Sequence, residues 1–560
     1  MTAAGPHRTH EVLNQVPPLA GHDVADDPAL LGALDREGAS WAVADLHALG
    51  SLAGAADTQE QARLANENPP VLRSYDGRGN RIDEVEFHPA WHAFMATAVR
   101  NGLHAAPWTD ASPGSHVARA AKFYIWAQAE GGHGCPVSMT YASVPALRHE
   151  PALAARFEPL LAARTYEPGL RTPDGKAGLL AGMAMTEKQG GSDVRANTTR
   201  AVRADRECYQ LTGHKWFCSA PMCDLFLVLA QAPEGLSCFL LPRVRPDGSR
   251  NSMHLQRLKD KLGNRSNASA EVEYDAASAW LVGEPGRGVR TIIEMVSATR
   301  LDCVLGSAAA MRQACVTAVH HAAGRRAFGT SLISHPLMTA VLADLALESE
   351  AATTLAMRLA GAADKAARGD GEQAALLRIA LPAAKYWVCK RTPAVAAEAL
   401  ECLGGNGYVE ESGMPRIYRD APLNSVWEGS GNVTALDVLR ALIRSPDSGE
   451  ALLAEADLAA GADRHLDQAA LRLRTALGDA ARAGQDAEYQ ARGLAGLIAL
   501  VLQAALLVRH APSGVADAFC ASRLEPGTAG LAGPGLPFGM LPRGLDLASI
   551  ISRSQVRAAG

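Results

Sequence analysis

The strongest candidate for chemistry is one carboxylate in residues 424–432, which read NSVWEGSGN. Glu428 follows the indole of Trp427 and precedes Gly429, so its carboxylate can lose part of its water shell while the backbone beside it stays open to a flat ligand. A carboxylate in such a place suits a general base. Taken alone, the same residues also fit a solvated acidic turn, because most carboxylates are exposed.

A second segment, residues 183–193, reads MAMTEKQGGSD. Its paired glycines lie between Thr186 and Ser192, which offers free backbone N–H groups and hydroxyls to a phosphate or to the polar edge of a heterocycle. The alternative is an ordinary Gly-Gly-Ser-Asp turn.

Residues 213–219 read GHKWFCS, where Trp216 and Phe217 beside Ser219 could cover a flat ring and hydrogen-bond its edge. The alternative there is a strand that buries both aromatic side chains.

Two later segments suit the other end of a nucleotide. Residues 325–329 read RRAFG, and the guanidinium of Arg325 is suited to a pyrophosphate. Residues 403–408 read LGGNGY, where Gly404 and Gly405 let a ligand approach the backbone closely. The chain has neither a G-x-G-x-x-G after a strand nor a P-loop, so a Rossmann fold or an NTPase has little support. A nucleotide would have to be held in another way.

The elements that must position these residues change character along the chain. Apolar residues at spacings of three and four predict a helical domain over 1–180, and short β-prone runs predict a small antiparallel β domain over 181–287. Long Ala- and Leu-rich stretches predict a four-helix bundle over 288–444. We expect a further helical domain over 445–560 with a flexible, Gly- and Pro-rich end. The predicted fold is therefore mainly α with a central β domain.

Composition excludes several classes of protein. The 560 residues are 48% hydrophobic and 20% charged with a formal net charge of -5, so the chain lacks the electrostatic character of a dedicated nucleic-acid binder. Ten cysteines without a C-x-x-C pair indicate reduced thiols in a cytoplasm and give a metal site little support. No secretory signal is predicted. The apolar run 493–502 lies between Arg492 and Arg509, which predicts a buried helix too short to span a bilayer.

The order and spacing of the motifs resemble those of the acyl-CoA dehydrogenase flavoproteins from about residue 90 to residue 442. Within that superfamily the chain is most similar to the AidB proteins of the bacterial alkylation response. This likeness extends to residues 68–70, 87–92 and 257–269, the last of which read RLKDKLGNRSNAS.

The resemblance implies FAD bound between the β domain and the bundle of a homo-oligomer, most often a tetramer. It implies that Glu428 removes the α proton of an acyl-CoA, and no second base competes, because Thr299 stands where some relatives keep theirs. Phe217 replaces the family's usual Trp, and Glu401 replaces a Gln that contacts adenine. The adenosine half of FAD would be reached from a neighbouring subunit. The implied cofactor-binding residues are Met183, Thr186, Gly191, Ser192, Phe217, Ser219, Arg325, Phe328, Gly404, Gly405, Trp427, Ser430 and Asn432.

The resemblance also raises double-stranded DNA as a partner for the C-terminal domain. Residues 445–560 contain ten arginines and no lysine against twelve acidic residues, a net charge of -2, so DNA binding would need arginines that share a face. The candidates are Arg440, Arg444, Arg464, Arg472, Arg474 and Arg482. Arg472 and Arg474 are two apart and would not lie together on a helix. The alternatives are a solvated surface that helps oligomerise, a metabolic acyl-CoA dehydrogenase with no DNA role, and a scaffold that keeps FAD for stability.

Overall fold

The computed structural model describes residues 9–205, 208–482, 486–524 and 537–556, and it confirms a mainly helical protein around one β domain. The helices before the β domain are α1 (Pro28–Arg36), α2 (Val43–Gly54), α3 (Ala56–Glu67), α4 (Pro89–Arg100), α5 (Ala106–Thr109), α6 (Ser115–Ala129), α7 (Gly134–Leu147) and α8 (Pro151–Leu161). A hairpin of β1 (Val71–Tyr75) and β2 (Arg81–Glu86) interrupts them, an element that helical periodicity did not indicate.

The β domain closes on itself. Its strands are β3 (Ala181–Ala184), β4 (Arg200–Arg203), β5 (Cys208–Ser219), β6 (Leu225–Ala232), β7 (Gly235–Pro242), β8 (Met253–Leu258) and β9 (Ser269–Val282). Strands follow the order β6-β4-β5-β9-β7, and β7 pairs back with β6, so the sheet forms a barrel with β3 beside β6 and β8 beside β9. The β3–β6 and β4–β6 pairings are parallel and the others are antiparallel.

A bundle of long helices follows the barrel. Its members are α9 (Gly288–Gly324), α10 (Pro336–Ala367), α11 (Gly371–Cys402) and α13 (Gly431–Arg444), with a small hairpin of β10 (Arg326–Ala327) and β11 (Thr330–Ser331) and the short helix α12 (Met414–Asp420) between them. The break between α10 and α11 is encoded locally: Gly369 has a φ of 93°, and Asp370 caps α11 by accepting from the Gln373 amide. A buried ion pair between Arg119 of α6 and Asp302 of α9 joins the N-terminal helices to the bundle.

The C-terminal helices are α14 (Asp447–Asp457), α15 (Arg464–Arg482), α16 (Ala487–His510), α17 (Ser513–Arg523) and α18 (Leu547–Ser552). In the described chain only α16 is long and apolar enough to cross a membrane, but 78% of its most apolar stretch is buried in the fold. The prediction of a buried helix was therefore correct, although the helix runs on through Arg492 and Arg509 and is longer than expected.

The chain end differs in part from the expected flexible tail. Ile550 and Ile551 of α18 are buried, and Arg312 of α9 donates to the Arg553 carbonyl at 3.1 Å. Residues 537–556 are thus packed on the bundle. The Gly- and Pro-rich residues 526–535, on which that expectation was based, lie outside the described part of the chain.

Candidate active site

Glu428 lies in a strained turn just before α13. Its φ is 58°, a left-handed value that costs a residue with a side chain about 1–3 kcal/mol, and Gly429 follows with a φ of 102°. Three backbone carbonyls of the turn accept from buried cations. Arg300 Nε donates to the Glu428 carbonyl at 2.9 Å, while Lys385 Nζ donates to the carbonyls of Trp427, at 2.6 Å, and Gly429. These bonds hold the strained conformation and fix the direction of the carboxylate.

Within the described part of the chain, the carboxylate of Glu428 has one side-chain hydrogen-bond partner. The Thr299 hydroxyl donates to Glu428 Oε2 at 2.7 Å. Burial raises the pKa of Glu428, while the Thr299 hydrogen bond and the charges of Lys385 and Arg300 oppose that rise. A carboxyl group with a raised pKa and a defined orientation can accept a proton from a weak carbon acid.

The indole of Trp427 is also fixed. Its Nε1 donates to Asn424 Oδ1 at 2.9 Å, and Asn424 Nδ2 donates to the Ser307 hydroxyl of α9 at 3.1 Å. Trp427 and Ser430 therefore sit on a rigid turn anchored to the bundle. The site residue Asn432 is exposed in the first turn of α13.

On the barrel side, the segment after β3 is anchored by a buried ion pair. Lys215 Nζ contacts Glu187 Oε1 at 2.9 Å, and both side chains are fully buried. Burial disfavours the charge of Glu187, but hydrogen bonds from Lys215, Thr199 and Thr198 outweigh it and lower the pKa of Glu187 to about 2. The pair fixes the loop that carries Thr186 next to β5, where the Trp216 amide donates to the Thr186 carbonyl at 2.8 Å.

The candidate cofactor residues of this segment differ in their exposure. Gly191 and Ser192 are exposed, Thr186 is half-buried and Met183 is buried in β3. A Cβ on Gly191 would lie 2.5 Å from Thr186 Oγ1, so the glycine lets the loop fold tightly over the threonine. On β5, Phe217 is 48% exposed, whereas a core aromatic would be covered. The structure therefore favours Phe217 as an aromatic side chain open to a ligand and not as a residue of the barrel core.

A buried thiol borders both the barrel and the bundle sides of the site. Cys135, near the start of α7, lies beside Ser219 and Asn267, and the Glu428 carboxylate acts on it electrostatically. Burial is the largest influence and raises the pKa of the Cys135 thiol to about 11. Ser219 and Glu428, which are far apart in sequence, thus both act on the same thiol, Ser219 through a hydrogen bond and Glu428 through its charge. Neither Cys135 nor Asn267 was singled out from the sequence, because nothing in their local spacing signals it.

Asn267 carries an unsatisfied amide at this place. Its side chain is 1% exposed, and apart from the neighbouring Cys135 thiol neither Oδ1 nor Nδ2 has a hydrogen-bond partner among the described residues. Strand pairing sets it beside Ser219, since the Ala220 amide donates to the Ala268 carbonyl at 2.9 Å. Buried amides are normally satisfied, so this orphaned pair fits a ligand with both donors and acceptors, such as the ring edge of a flavin.

Four candidate residues lie at a distance from Glu428. Arg325 follows the C-terminus of α9, and Phe328 is 98% exposed with a φ of 51°; Gly404 and Gly405 are exposed after α11. Because a helix rises 1.5 Å per residue, Arg325 lies roughly 39 Å along α9 from Thr299, and the end of α11 before Gly404 lies roughly 26 Å from Lys385, which contacts the Glu428 turn. The chain therefore presents these four residues to a site other than the one around its own Glu428.

The six candidate DNA-binding arginines do not form one free basic face. Arg472 donates to the Leu524 carbonyl, Arg474 pairs with Asp457 and Arg482 pairs with Asp479. A cleft of about 170 Å³ beside Arg474 is lined by Asp457 and Asp467. In the described chain, Arg440, Arg444 and Arg464 are exposed and have no ion pair. The described residues also contain no cluster of three metal-ligating side chains.

Comparisons with known proteins agree with this arrangement. Three family models match the chain: the N-terminal domain of adaptive response protein AidB over residues 14–168, and the middle and C-terminal domains of acyl-CoA dehydrogenases over residues 182–277 and 286–443. The chain is 47% identical to AidB of Escherichia coli K12 over 525 residues, which cover 92% of this chain and 95% of that protein. It is 32% identical to acyl-CoA dehydrogenase family member 11 of Caenorhabditis elegans, over 76% of this chain and 72% of that protein.

Two solved structures are also similar. Caenorhabditis elegans ACDH-11 in complex with C11-CoA superposes with a TM-score of 0.84 at 28% identity, over 94% of this chain and 95% of that chain. An acyl-CoA dehydrogenase from Bacillus anthracis complexed with FAD has a TM-score of 0.64 at 20% identity, over 77% of this chain and 80% of that chain, and so shares the fold.

Proposed function

The chain belongs to the acyl-CoA dehydrogenase family and, within it, to the AidB proteins, and we propose that it is an FAD-dependent oxidoreductase acting on an acyl-CoA with Glu428 as its base. The observation that carries the proposal is the carboxylate itself. The Thr299 hydroxyl orients this carboxylate, and burial raises its pKa. Its charge acts on the Cys135 thiol, which Ser219 also contacts.

FAD is the cofactor, and the residues present fit it. Thr186, Ser192, Phe217 and Ser219 would hold the ring from the barrel, and Trp427, Ser430 and Asn432 would hold it from the bundle. The buried amide of Asn267, which has no partner beyond the Cys135 thiol, supports a polar ring in that space. When bound, FAD accepts the hydride that leaves the β carbon of the substrate.

Glu428 supplies the proton chemistry. Its carboxylate takes the α proton, the α C–H and β C–H bonds break, and a carbon–carbon double bond forms between the two carbons. Arg300 holds the Glu428 carbonyl and Lys385 holds the carbonyls on either side of it, which keeps the carboxylate oriented, and the Thr299 hydroxyl stabilises the ionised form before the reaction. All three groups act through Glu428 and need not touch the substrate.

The direct test is acyl-CoA-dependent bleaching of the flavin in wild type and Glu428→Gln. The amide cannot accept the proton, so bleaching should be lost while the protein stays yellow. Glu411→Gln is the matched control, because Glu411 is exposed in the turn before α12. Bleaching that persists in Glu428→Gln would show that another group is the base. An 11-carbon acyl-CoA is the first substrate to try, because ACDH-11 was solved with C11-CoA.

The assembly, domain limits and location belong to the same proposal. Since Arg325, Phe328, Gly404 and Gly405 lie far from Glu428, they would meet the FAD of a neighbouring subunit, which supports a homo-oligomer and, on family grounds, a tetramer.

The family models support domains over 1–180, 181–287 and 288–444, followed by the helical domain 445–560. All ten cysteines are free thiols, which supports a cytoplasmic location.

Duplex-DNA binding in the alkylation response is a separate proposal with less support. It rests on the AidB likeness and on the exposed Arg440, Arg444 and Arg464, since the other three candidate arginines already have partners. The alternative is a metabolic acyl-CoA dehydrogenase without a DNA role. A salt-dependent titration of the full chain with duplex DNA separates the two.

A further inference from the structure

Two lysines of the segment 257–269 lie beside the barrel residues that would hold the flavin ring. Lys259 follows β8, and its amide donates to the Ser269 carbonyl at the start of β9 at 2.7 Å. On its other side Ser269 is paired with Ser219 of β5. The segment therefore runs one strand away from the part of β5 that carries Phe217 and Ser219.

The ammonium group of Lys259 lies against the aromatic residues of β5. Its Nζ is 3.3 Å from the ring centroid of Trp216 and 4.6 Å from that of Phe217. The Lys259 side chain is 11% exposed and pairs with Glu271 at 2.7 Å, while Arg257, 64% exposed, contacts the same carboxylate oxygen at 2.7 Å. Two cations thus share one carboxylate, which leaves a net positive charge beside Phe217.

Lys261 brings a second ammonium group to the Ser219 side. Its Nζ donates to the Asn267 carbonyl at 2.6 Å and to the Ser269 hydroxyl at 3.4 Å, and no ion pair joins it to an acidic side chain of the described chain. Burial lowers the pKa of Lys261 to about 8, which leaves most of the group charged at neutral pH. An uncompensated positive charge therefore lies next to Asn267, whose buried amide supports a polar ligand in the same space.

A positive charge that is partly shielded from water stabilises the more negative state of a redox group beside it. A neutral flavin ring that takes up a hydride, which is two electrons and one proton, gains one negative charge. We propose that Lys259 and Lys261 raise the reduction potential of FAD by stabilising the negative charge of the reduced ring. This inference rests on the proposed function, which sets the ring beside Phe217 and Ser219.

The two lysines would thereby favour hydride transfer without touching the acyl-CoA. An alkyl C–H bond is a weak hydride donor, so a higher potential of the acceptor moves the equilibrium toward the unsaturated product. The alternative is that Lys259 and Lys261 only fix the segment 257–269 on the barrel. Charge and packing can be separated, because arginine keeps the charge and methionine keeps most of the side-chain volume.

The test is the reduction potential of the FAD-loaded, full-length chain, measured by anaerobic titration with dithionite against a reference dye. Lys259→Met and Lys261→Met should each make reduction about tenfold less favourable, which for a two-electron couple is a potential about 30 mV lower. Glu271→Gln should raise the potential, because it leaves the charge of Lys259 without its carboxylate.

Arg257→Met is the matched control. It removes a cation from the same carboxylate but on the exposed side, so it should change the equilibrium less than about twofold, since water and salt screen an exposed charge. Lys259→Arg and Lys261→Arg should keep a potential near that of wild type. Equal potentials in wild type and both Met variants, or an equal fall in the Met and Arg variants, would overturn the inference.

A variant that loses FAD during purification is tested by binding. The flavin-free chain is titrated anaerobically with oxidised and with reduced FAD, and the ratio of the two dissociation constants reports the same charge effect through a thermodynamic cycle. Each Met variant should lose about tenfold of the preference for reduced FAD; a wild-type ratio would contradict the role of that lysine. Neither measurement uses acyl-CoA, so absent bleaching by acyl-CoA would count against the proposed reaction alone.

Discussion

At the scale of single residues, Glu428 is governed by opposing influences on one pKa. Burial favours the protonated form, while Thr299, Lys385 and Arg300 favour the carboxylate. Only the ionised carboxylate can take a proton, so the rate of flavin reduction should rise as the pH passes the raised pKa of Glu428 and then level off. Thr299 is the one neighbour that touches the carboxylate itself, whereas the two cations hold carbonyls of the turn.

We expect Thr299→Val to move the acid limb of that profile to higher pH. A hydrogen bond to a charged group contributes about 1.5–3 kcal/mol, which corresponds to about one to two pH units. The rate of flavin reduction by acyl-CoA, followed by stopped flow across pH, measures the shift. Thr317→Val is the control, since Thr317 lies on the same helix and its hydroxyl bonds the Gln313 carbonyl at 2.7 Å. An unmoved limb in Thr299→Val would mean that Thr299 does not influence the base.

The sequence pointed to Glu428 as the candidate base but not to the residues that hold it. The run of tryptophan, glutamate and glycine is a local signal, so Glu428 and Trp427 could be chosen from it. The Thr299 contact joins residues 129 positions apart, and Lys385 reaches its carbonyls across 42 and 44 positions. In the sequence Thr299 was noted only as the residue that stands where some relatives keep a base. Such contacts follow from how three helices pack, which no spacing within one helix reveals.

At the scale of elements, the C-terminal helices are tied to the bundle by buried ionic networks. Arg523 of α17 contacts Asp344 and Glu348 of α10, the latter at 2.9 Å. Glu455 of α14 pairs with Arg358 of α10 at 2.7 Å and with Arg509 of α16 at 3.0 Å. These helices are therefore part of the core and not a loosely attached appendage.

Arg523→Met should lower the free energy of unfolding by about 3–5 kcal/mol, because it leaves the buried Asp344 without a cation and leaves Glu348 with Arg391 alone. The midpoint of urea denaturation, followed by circular dichroism, measures the loss. Arg482→Met provides the comparison: Arg482 is exposed and pairs with Asp479 three residues away, so its loss should cost less than about 1 kcal/mol. Equal midpoints for wild type and Arg523→Met would show that this network does not hold the domain.

Helices with a strong hydrophobic period could be predicted from the sequence, whereas features that depend on which strands pair could not. The long helices α9, α10 and α11 follow from Ala- and Leu-rich stretches, and the breaks between them from glycine, proline and a capping Asp370. The short strands were visible as apolar runs. The closure of the barrel through β6 and β7, and the parallel pairing of β3 with β6, depend on contacts between strands that alternation alone does not specify.

At the scale of the whole molecule, large apolar side chains are left uncovered far from the Glu428 turn. Phe328 is 98% exposed and Tyr408 is 82% exposed, each beside a segment that suits a nucleotide. Burial of such a side chain typically contributes about 1.5–3 kcal/mol, so a partner that covers both side chains would be stabilised by the contact. A neighbouring copy of the chain, with its FAD, is the partner that the proposed assembly supplies.

We therefore expect Phe328→Ser combined with Tyr408→Ser to give a smaller oligomer and to retain less FAD than wild type. Light scattering after size-exclusion chromatography measures the mass, and the ratio of flavin to protein absorbance measures the cofactor. Tyr489→Ser tests whether exposure alone matters, because Tyr489 is 93% exposed on α16 but lies on neither nucleotide segment. A double variant with wild-type mass and flavin content would remove these side chains from the interface.

The charge of the whole molecule limits how it can bind DNA. The net charge is -5, and in the described chain only Arg440, Arg444 and Arg464 of the six candidate arginines are exposed without an ion pair. Each phosphate neutralised contributes about 0.9 to the slope of log affinity against log salt, so three arginines predict a slope of at most about 3 per chain. Fluorescence anisotropy of labelled duplex DNA across salt concentrations measures it. Replacing all three arginines by Gln should abolish the salt-dependent part of the DNA affinity. A slope of about 6 or more, typical of a dedicated DNA-binding protein, would contradict this prediction, because three arginines on one chain cannot account for it.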